Sequence, residues 1–370
     1  MAIDGKRRLR VGIVGAGHWA REAHIPGFRS CDEVDLLAIC DVDRKRAAEV
    51  ATAAGIPAWH GSAPEMLASD TFDLVSVVTP DDVHPTDVRA AIAAGAHVLC
   101  EKPLAVTVAD ARTLARAAAA AGVRTKIGFT FRATPTVMRL RELVASGDLG
   151  EPHLLMAFQQ NAQFLDPGRP FHWKMDGTRT GGGAIVEYGI HTLDLARWLM
   201  GEVTRVCARG RTLVPERPRP DGGTQPVEVD DSTAWLMEFA NGATGICHAG
   251  WATVGRPPGL ELRVFGSRGA AEVFLSDEVP GEEALLVAGT DGRFLPAEIP
   301  SRLYKRVPDL GAWWRTWSGH LIRQFVAEIV AGAPPLGPTF ADGVRAQELL
   351  AAVTTSMREQ RWVEVPPTTV

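Results

Sequence analysis

Three ionisable side chains share one face of a helix predicted after a run of three glycines. Glu187, His191 and Asp194 follow glycines 181–183, and their spacing of four and three residues places them on one side of an α-helix. A histidine beside a carboxylate can take up or release a proton near neutral pH, so the set is a candidate acid/base site. The alternative is a core histidine that a neighbouring carboxylate satisfies.

A second group of candidates lies where two predicted strands end, at residues 79–84 and 101–103. The carboxyl ends of neighbouring parallel strands are where open α/β sheets bind ligands. The bond after Lys102 precedes a proline and can therefore be cis. Lysines at strand ends are usually solvated, so the sequence leaves the role of this one open. The candidates from this edge are Thr79, Pro80, His84, Glu101 and Lys102.

A glycine turn follows the first predicted strand, with the pattern G-x-G-x-x-A over residues 15–20. Gly15 permits the tight turn, and Gly17 lets the backbone approach a pyrophosphate. Because the turn follows a strand and opens a helix, the pattern predicts a dinucleotide site that includes His18 and Trp19. The alternative is a packing turn without a ligand.

The second predicted strand ends at Asp41, where an acidic side chain can accept hydrogen bonds from both ribose hydroxyls. A carboxylate there repels a 2′-phosphate, so NAD is favoured as the cofactor. Arg44, Lys45 and Arg46 follow closely and could hold that phosphate instead, which keeps NADP possible. Their alternative is a solvated helix face.

The elements that must position these residues alternate between strand and helix in the first third of the chain. Thr107 and Asp110 resemble a capping box that opens an alanine-rich helix ending at Gly122. The alternation predicts an α/β fold, with a parallel-sheet Rossmann domain over residues 1–128. Strands are predicted at 10–14, 34–40, 74–79, 97–100 and 126–130, and further helices at 43–54 and 85–94.

Residues 129–370 are predicted to form a second, α+β domain with a mostly antiparallel sheet. Asn241-Gly242 is a strong hairpin signal between two of its strands. Residues 215–226, rich in proline and glycine, are predicted to form an exposed loop. Helices are predicted at 135–146, 185–200, 319–331 and 341–360, and strands at 154–159, 203–210, 232–239, 245–251, 260–265 and 271–275.

The composition excludes several partners. The chain of 370 residues has a net charge of −5 and no block of like charges, so we expect neither nucleic acid nor a membrane surface as a partner. No apolar run is long enough to cross a bilayer. The five cysteines are scattered without metal-ligand spacing, which predicts buried thiols in the cytoplasm and no metal site.

Taken together, these motifs resemble the Gfo/Idh/MocA family, named for glucose–fructose oxidoreductase and inositol dehydrogenase. The resemblance covers nearly the whole chain and is most specific at residues 101–103 and 181–191. It implies that Lys102 lies near the nicotinamide and the substrate hydroxyl, and that His191 is the acid/base. The acidic residue four positions earlier is often Asp in the family, and here it is Glu187. Asp194 would orient His191 or hold a substrate hydroxyl.

The resemblance also implies substrate contacts from Arg132, Trp173 and Lys174, and a homodimer or homotetramer formed through the C-terminal sheet. The expected activity is hydride transfer between NAD(P) and a secondary alcohol or ketone of a sugar, a cyclic polyol or a sugar derivative. The alternatives are an NAD-dependent glycoside hydrolase and a cofactor-binding regulator without catalysis. Residues 313–317, with three tryptophans, could pack in a core or an interface, or could line the pocket.

Overall fold

A computed structural model describes residues 7–219, 221–254, 259–276, 283–304, 310–311 and 313–367. Their contacts divide the chain into two compact units. The first unit comprises Met1–Ala133 and Lys305–Val344, and the second comprises Thr134–Tyr304 and Arg345–Val370. The first unit therefore includes a C-terminal segment that the boundary predicted between residues 128 and 129 leaves with the second domain.

The first unit contains a six-stranded parallel sheet with the order β3-β2-β1-β4-β5-β6, the Rossmann arrangement predicted from the strand–helix alternation. Its strands are β1 (Leu9–Val14), β2 (Val34–Cys40), β3 (Ala58–His60), β4 (Leu74–Val77), β5 (His97–Cys100) and β6 (Thr125–Ile127). Its first five helices are α1 (Ile25–Arg29), α2 (Arg44–Ala54), α3 (Ala63–Ser69), α4 (His84–Ala93) and α5 (Val108–Ala121).

Local capping explains where the helices of this unit begin and end. Asp43 accepts a hydrogen bond at the start of α2, and Thr107 accepts one from the amide of Asp110 at the start of α5. Both helices end at a glycine in the left-handed region, Gly55 and Gly122. These signals were readable in the sequence, whereas the short β3 and α3 carry too few residues for a periodic pattern.

The strand predicted at 126–130 is too long at its carboxyl end. β6 stops at Ile127, and Thr130–Ala133 form a 3₁₀ turn. The amide of Phe129 bonds to the carbonyl of Ile127, which bends the chain out of the sheet.

The second unit contains a nine-stranded sheet, and β7 and β12 form its one parallel pair among the described strands. The mainly antiparallel sheet is thus confirmed, and Gly242 has the positive φ that its hairpin turn requires. The sheet order is β16-β15-β14-β13-β7-β12-β11-β8-β17. Its strands are β7 (Pro152–Gln160), β8 (Val203–Arg211), β11 (Ser232–Phe239), β12 (Thr244–Gly250), β13 (Gly259–Gly266), β14 (Ala270–Ser276), β15 (Glu283–Ala288), β16 (Leu295–Pro296) and β17 (Val363–Glu364).

The segment predicted as an exposed loop at 215–226 forms a small β-ribbon instead. β9 (Glu216–Pro218) pairs with β10 (Thr224–Pro226). Arg217 is fully buried, and its guanidinium donates to the backbone carbonyls of Phe164 and Asp166. Most of the segment is exposed, as predicted, and Arg217 is the exception because these two carbonyls, distant in sequence, give a buried arginine its acceptors.

The remaining helices of the second unit include the one that carries the acid/base candidates. The helix predicted at 185–200 consists of a π-helical turn, Ile185–Gly189, followed by α8 (Ile190–Met200). The others are α6 (Pro135–Ala145), α7 (Gly177–Thr180) and α9 (Ser301–Tyr304).

Two long helices close the chain, α10 (Trp313–Ala331) and α11 (Phe340–Glu359). Four apolar residues of α10 join the core of the first unit with Val11 and Ile13 of β1, namely Leu321, Ile322, Phe325 and Val326. Trp317 is buried, and its ring lies 5.5 Å from that of Phe131, which fits the packing role for this member of the tryptophan run. The side chains of residues 313 and 314 lie outside the described part of the chain. No helix in the described part of the chain is long and apolar enough to cross a membrane.

Candidate active site

The glycine turn after β1 has the geometry that a phosphate-binding turn requires. Gly15 has φ +99°, and a Cβ there would lie 2.6 Å from the carbonyl oxygen of Val78, so only glycine fits. A Cβ at Gly17 would meet nothing within 4 Å and would project into open space. Backbone that is bare on its open side can be approached closely by a pyrophosphate, and the turn therefore fits a dinucleotide.

Asp41 braces this turn from the end of β2. Its Oδ2 accepts a hydrogen bond of 2.8 Å from the amide of Ala16, and its Oδ1 accepts one of 2.9 Å from the amide of Asp43. Burial raises the pKa of Asp41, but the bonds from Arg46 and the two amides outweigh burial and hold that pKa below its usual value. Asp41 is therefore ionised at neutral pH.

The structure separates the basic residues that follow Asp41. Arg44 donates two hydrogen bonds to Glu65, at 2.7 and 2.9 Å. Arg46 bonds to the carboxylate of Asp41, with Nη2 2.6 Å from Oδ1 and Nε 3.1 Å from Oδ2. Among the three basic residues considered for this position, the one beside Asp41 is therefore Arg46.

Glu101 is the centre of a buried network at the end of β5. Its Oε1 accepts hydrogen bonds from Trp19 Nε1 at 3.0 Å and from His24 Nε2 at 2.9 Å. The amide of Lys102 lies 3.2 Å from Oε2, and His24 Nδ1 lies 2.8 Å from Ser76 Oγ. Burial raises the pKa of Glu101, but His24 and Lys102 lower it by more, so the carboxylate stays ionised. The network joins the glycine turn, β4 and the segment that carries Lys102.

His84 connects the two strand-end segments singled out in the sequence. Its Nδ1 lies 2.7 Å from the carbonyl of Pro103, and its Nε2 lies 2.8 Å from the carbonyl of Thr79. The ring is fully buried, and burial lowers its pKa more than the two carbonyls raise it. Thr79 donates to Asp87 at 2.9 Å, and the Lys102–Pro103 peptide bond is cis. The role of His84 in this unit is thus to tie the two segments together.

In the second unit, the acid/base candidates lie on and before α8. His191 and Asp194 are buried in α8, whereas Glu187 lies in the preceding π-helical turn, a type of turn frequent at functional sites. Lys174 Nζ lies 2.5 Å from Glu187 Oε1 and 5.9 Å from the ring centre of Trp173. The structure therefore brings together Trp173, Lys174 and Glu187, three of the residues predicted for this site.

Asp230 anchors the chain just before this π-helical turn. Its two carboxylate oxygens accept hydrogen bonds of 2.8 Å from the amides of Gly183 and Ile185, and Thr233 donates to it at 2.7 Å. The amide of Ala184 bonds to the carbonyl of Asp230. A Cβ at Gly183 would lie 2.0 Å from that carbonyl oxygen, which explains the glycine. Sequence reasoning gave Asp230 no role at the site, because nothing local pairs it with residues more than forty positions earlier.

Arg132 lies in the 3₁₀ turn of the first unit. Both terminal nitrogens of its guanidinium are 3.2 Å from Asp342 Oδ1, and the side chain is buried.

Within the residues that the structure describes, no group of three or more His, Cys, Asp or Glu side chains could hold a metal ion.

Comparison with known proteins places both units in one family. Residues 9–129 match the model described as "Oxidoreductase family, NAD-binding Rossmann fold", and residues 137–272 match the model of the GFO/IDH/MocA C-terminal domain.

Individual relatives share most of the chain. Levoglucosan dehydrogenase of Pseudarthrobacter phenanthrenivorans is 26% identical over 97% of this chain and 99% of its own length. Myo-inositol 2-dehydrogenase of Thermotoga maritima is 30% identical over 70% of this chain and 74% of its own. A solved structure of levoglucosan dehydrogenase with NADH and L-sorbose has a TM-score of 0.89 and 26% identity, covering 97% of this chain and 99% of that one.

Proposed function

Because the chain belongs to the GFO/IDH/MocA family of NAD(P)-dependent dehydrogenases, which act on CH–OH groups, we propose that it oxidises a secondary alcohol of a sugar or cyclic polyol, or reduces the corresponding ketone. The similar proteins are named for levoglucosan and myo-inositol, both polyhydroxylated rings. The observation that carries the proposal is the glycine turn, which is open above Gly17 and braced by Asp41.

The cofactor is NAD(H), and the residues that would hold it belong to the first unit. Gly15, Gly17, His18 and Trp19 form the turn for the pyrophosphate, and Asp41 stands at the ribose. Thr79, Pro80, His84 and Glu101 form or support the strand ends beside the nicotinamide. When bound, the nicotinamide ring supplies the acceptor for the hydride.

The chain's own residues then handle the proton and the charge of the substrate hydroxyl. We assign His191 as the base that takes the hydroxyl proton, and Lys102 as the cation that stabilises negative charge on the same oxygen. The hydrogen bond that the backbone N–H of Lys102 donates to the Glu101 carboxylate fixes the backbone from which the lysine side chain extends.

Glu187 and Lys174 complete the assignment in the second unit. Their ion pair of 2.5 Å holds the Glu187 carboxylate, which is one methylene longer than the aspartate often found at this position in the family. We propose that this contact keeps the longer side chain in a defined position, while Trp173, Arg132 and Asp194 contact the substrate.

The described sheet of the second unit offers a surface for self-association. Leu236 and Ile246 lie opposite each other on β11 and β12, and 42% and 37% of their surfaces are exposed. Cys207 and Met156 continue this row on β8 and β7. We propose that this apolar row contacts a second copy of the chain in a homodimer or homotetramer.

The five cysteines form no disulfide, which supports a place in the reducing cytoplasm.

The test is a spectrophotometric screen with NAD against inositols, hexoses, anhydro-sugars and keto-sugars. On the substrate it identifies, Lys102→Met and His191→Asn should each lower kcat by about 100-fold or more. The double variant should lose less than the product of the two single losses, because both residues serve one step. His153→Asn, an exposed site on β7, is the matched control and should keep full activity. Full turnover by either site variant, or no binding of any nicotinamide dinucleotide, contradicts the proposal.

A further inference from the structure

Asp41 has no acceptor position left over for a ribose. A carboxylate has about four lone-pair positions on its two oxygens. The amides of Ala16 and Asp43 occupy two of them, and Arg46 occupies the other two through Nε and Nη2. The ribose hydroxyls that such an aspartate normally binds would therefore have to displace one of these donors.

Arg46 is the donor most easily displaced. The two amides belong to the backbone of the glycine turn and of the start of α2, and they cannot move without changing those elements. The side chain of Arg46 is 43% exposed, whereas that of Asp41 is 7% exposed. Its other contact, with Asp43, is at 3.6 Å from an exposed carboxylate. The guanidinium can therefore leave Asp41 and remain next to the place where the ribose binds.

The neighbouring basic residues are engaged elsewhere. Arg44 is held by both oxygens of Glu65, which also accepts the amide of Gly61. Lys45 is 85% exposed and lies 3.8 Å from Glu49 on the outer side of α2. Neither residue contacts Asp41 in the structure.

On the basis of the proposed dinucleotide site, we propose that Arg46 determines cofactor specificity. It competes with the ribose for Asp41, so that the chain binds NADPH as well as NADH. An NAD ribose must displace the guanidinium and leaves it without its carboxylate partner. A 2′-phosphate offers the displaced guanidinium a new bidentate partner, which offsets the repulsion from Asp41. Arg46 thus weakens NADH binding and strengthens NADPH binding.

The experiment measures the Kd of NADH and of NADPH by fluorescence titration for the wild type and for Arg46→Met, which keeps the length of the side chain but removes its charge. The wild type should bind both cofactors with Kd values within about tenfold of each other. Arg46→Met should bind NADH more tightly and NADPH more weakly, changing the ratio of the two Kd values by about tenfold or more. Arg116→Met, on the exposed face of α5, removes the same charge and should leave the ratio unchanged.

Adenosine 2′,5′-bisphosphate and 5′-AMP, used as competitors of NADH, confine the comparison to the ribose. Arg46→Met should weaken the binding of the bisphosphate but not that of 5′-AMP. Arg46→Lys keeps the charge without the bidentate geometry, so its affinity for the bisphosphate should lie between those of Arg46→Met and the wild type. The inference is overturned if Arg46→Met changes both Kd values equally, if Arg44→Met or Lys45→Met changes the ratio instead, or if the wild type binds NADH but not NADPH. If the wild type binds no nicotinamide dinucleotide at all, the proposed function itself is contradicted.

Discussion

At the scale of single residues, two glycines of one turn have different reasons to be glycine. Gly15 is required by the fold, since its φ of +99° and the carbonyl of Val78 exclude a side chain. Gly17 is not required by the fold, because a Cβ there would meet no atom within 4 Å. A glycine that packing does not demand is best explained by a ligand that approaches the backbone.

This difference predicts that substitution by alanine affects stability at Gly15 and NADH binding at Gly17. Gly15→Ala should lower the free energy of unfolding, because a backbone in this region costs about 1–3 kcal/mol for other residues and the contact with Val78 adds to it. Gly17→Ala should leave the melting temperature unchanged but weaken NADH binding. Thermal melts and NADH titrations of the two variants check the prediction. Unimpaired NADH binding by Gly17→Ala would show that the pyrophosphate does not lie over this turn.

At the scale of elements, the helix that carries the acid/base candidates is held by a carboxylate from another part of the second unit. Asp230 precedes β11 and bonds to the amides at the start of the π-helical turn, so the sheet fixes where that turn begins. Burial raises the pKa of Asp230, and the three donors lower it by less. The donors nevertheless need both oxygens, so an amide side chain cannot replace the carboxylate.

We therefore expect Asp230→Asn to disturb the site although Asp230 is not one of its proposed catalytic or binding residues. The new NH₂ group would face a backbone N–H, leaving a buried donor unsatisfied at a cost of about 1–3 kcal/mol. The melting temperature and kcat should both fall, while the Kd of NADH, bound by the other unit, should not change. Asp148→Asn, exposed in the same unit, is the control. If Asp230→Asn keeps the wild-type kcat, the anchor does not position His191.

At the scale of the whole molecule, the apolar row on the nine-stranded sheet predicts an oligomer. Light scattering should give the mass of a dimer or a tetramer. Leu236→Glu combined with Ile246→Glu should shift that mass towards the monomer, because two charges would be buried at the contact. Leu213→Glu, at an equally exposed leucine outside the sheet, should keep the wild-type mass. A monomeric wild type, or an oligomer insensitive to the double substitution, would exclude this surface as the contact.

The sequence alone determined what depends on short-range physics. Strand and helix periodicity, together with caps such as Thr107 and turns such as Gly242, correctly predicted the Rossmann sheet and most of the antiparallel sheet. The glycine turn and residues 101–103 were recognisable because the residues that define each motif are consecutive or nearly consecutive in the sequence. The sequence also identified His191 and Glu187 as candidates, since a polar stripe on an apolar helix departs from the usual pattern.

Only the tertiary structure decided which distant groups meet. It placed Arg46 on Asp41 and Arg44 on Glu65, Asp230 at the start of the π-helical turn, and Arg217 inside a segment that looked exposed. Each of these depends on hydrogen-bond partners brought together by folding, and a buried charge is stable only where such partners exist. Local patterns record which residues can do chemistry, whereas the partners that hold and tune them are set by contacts far apart in the chain.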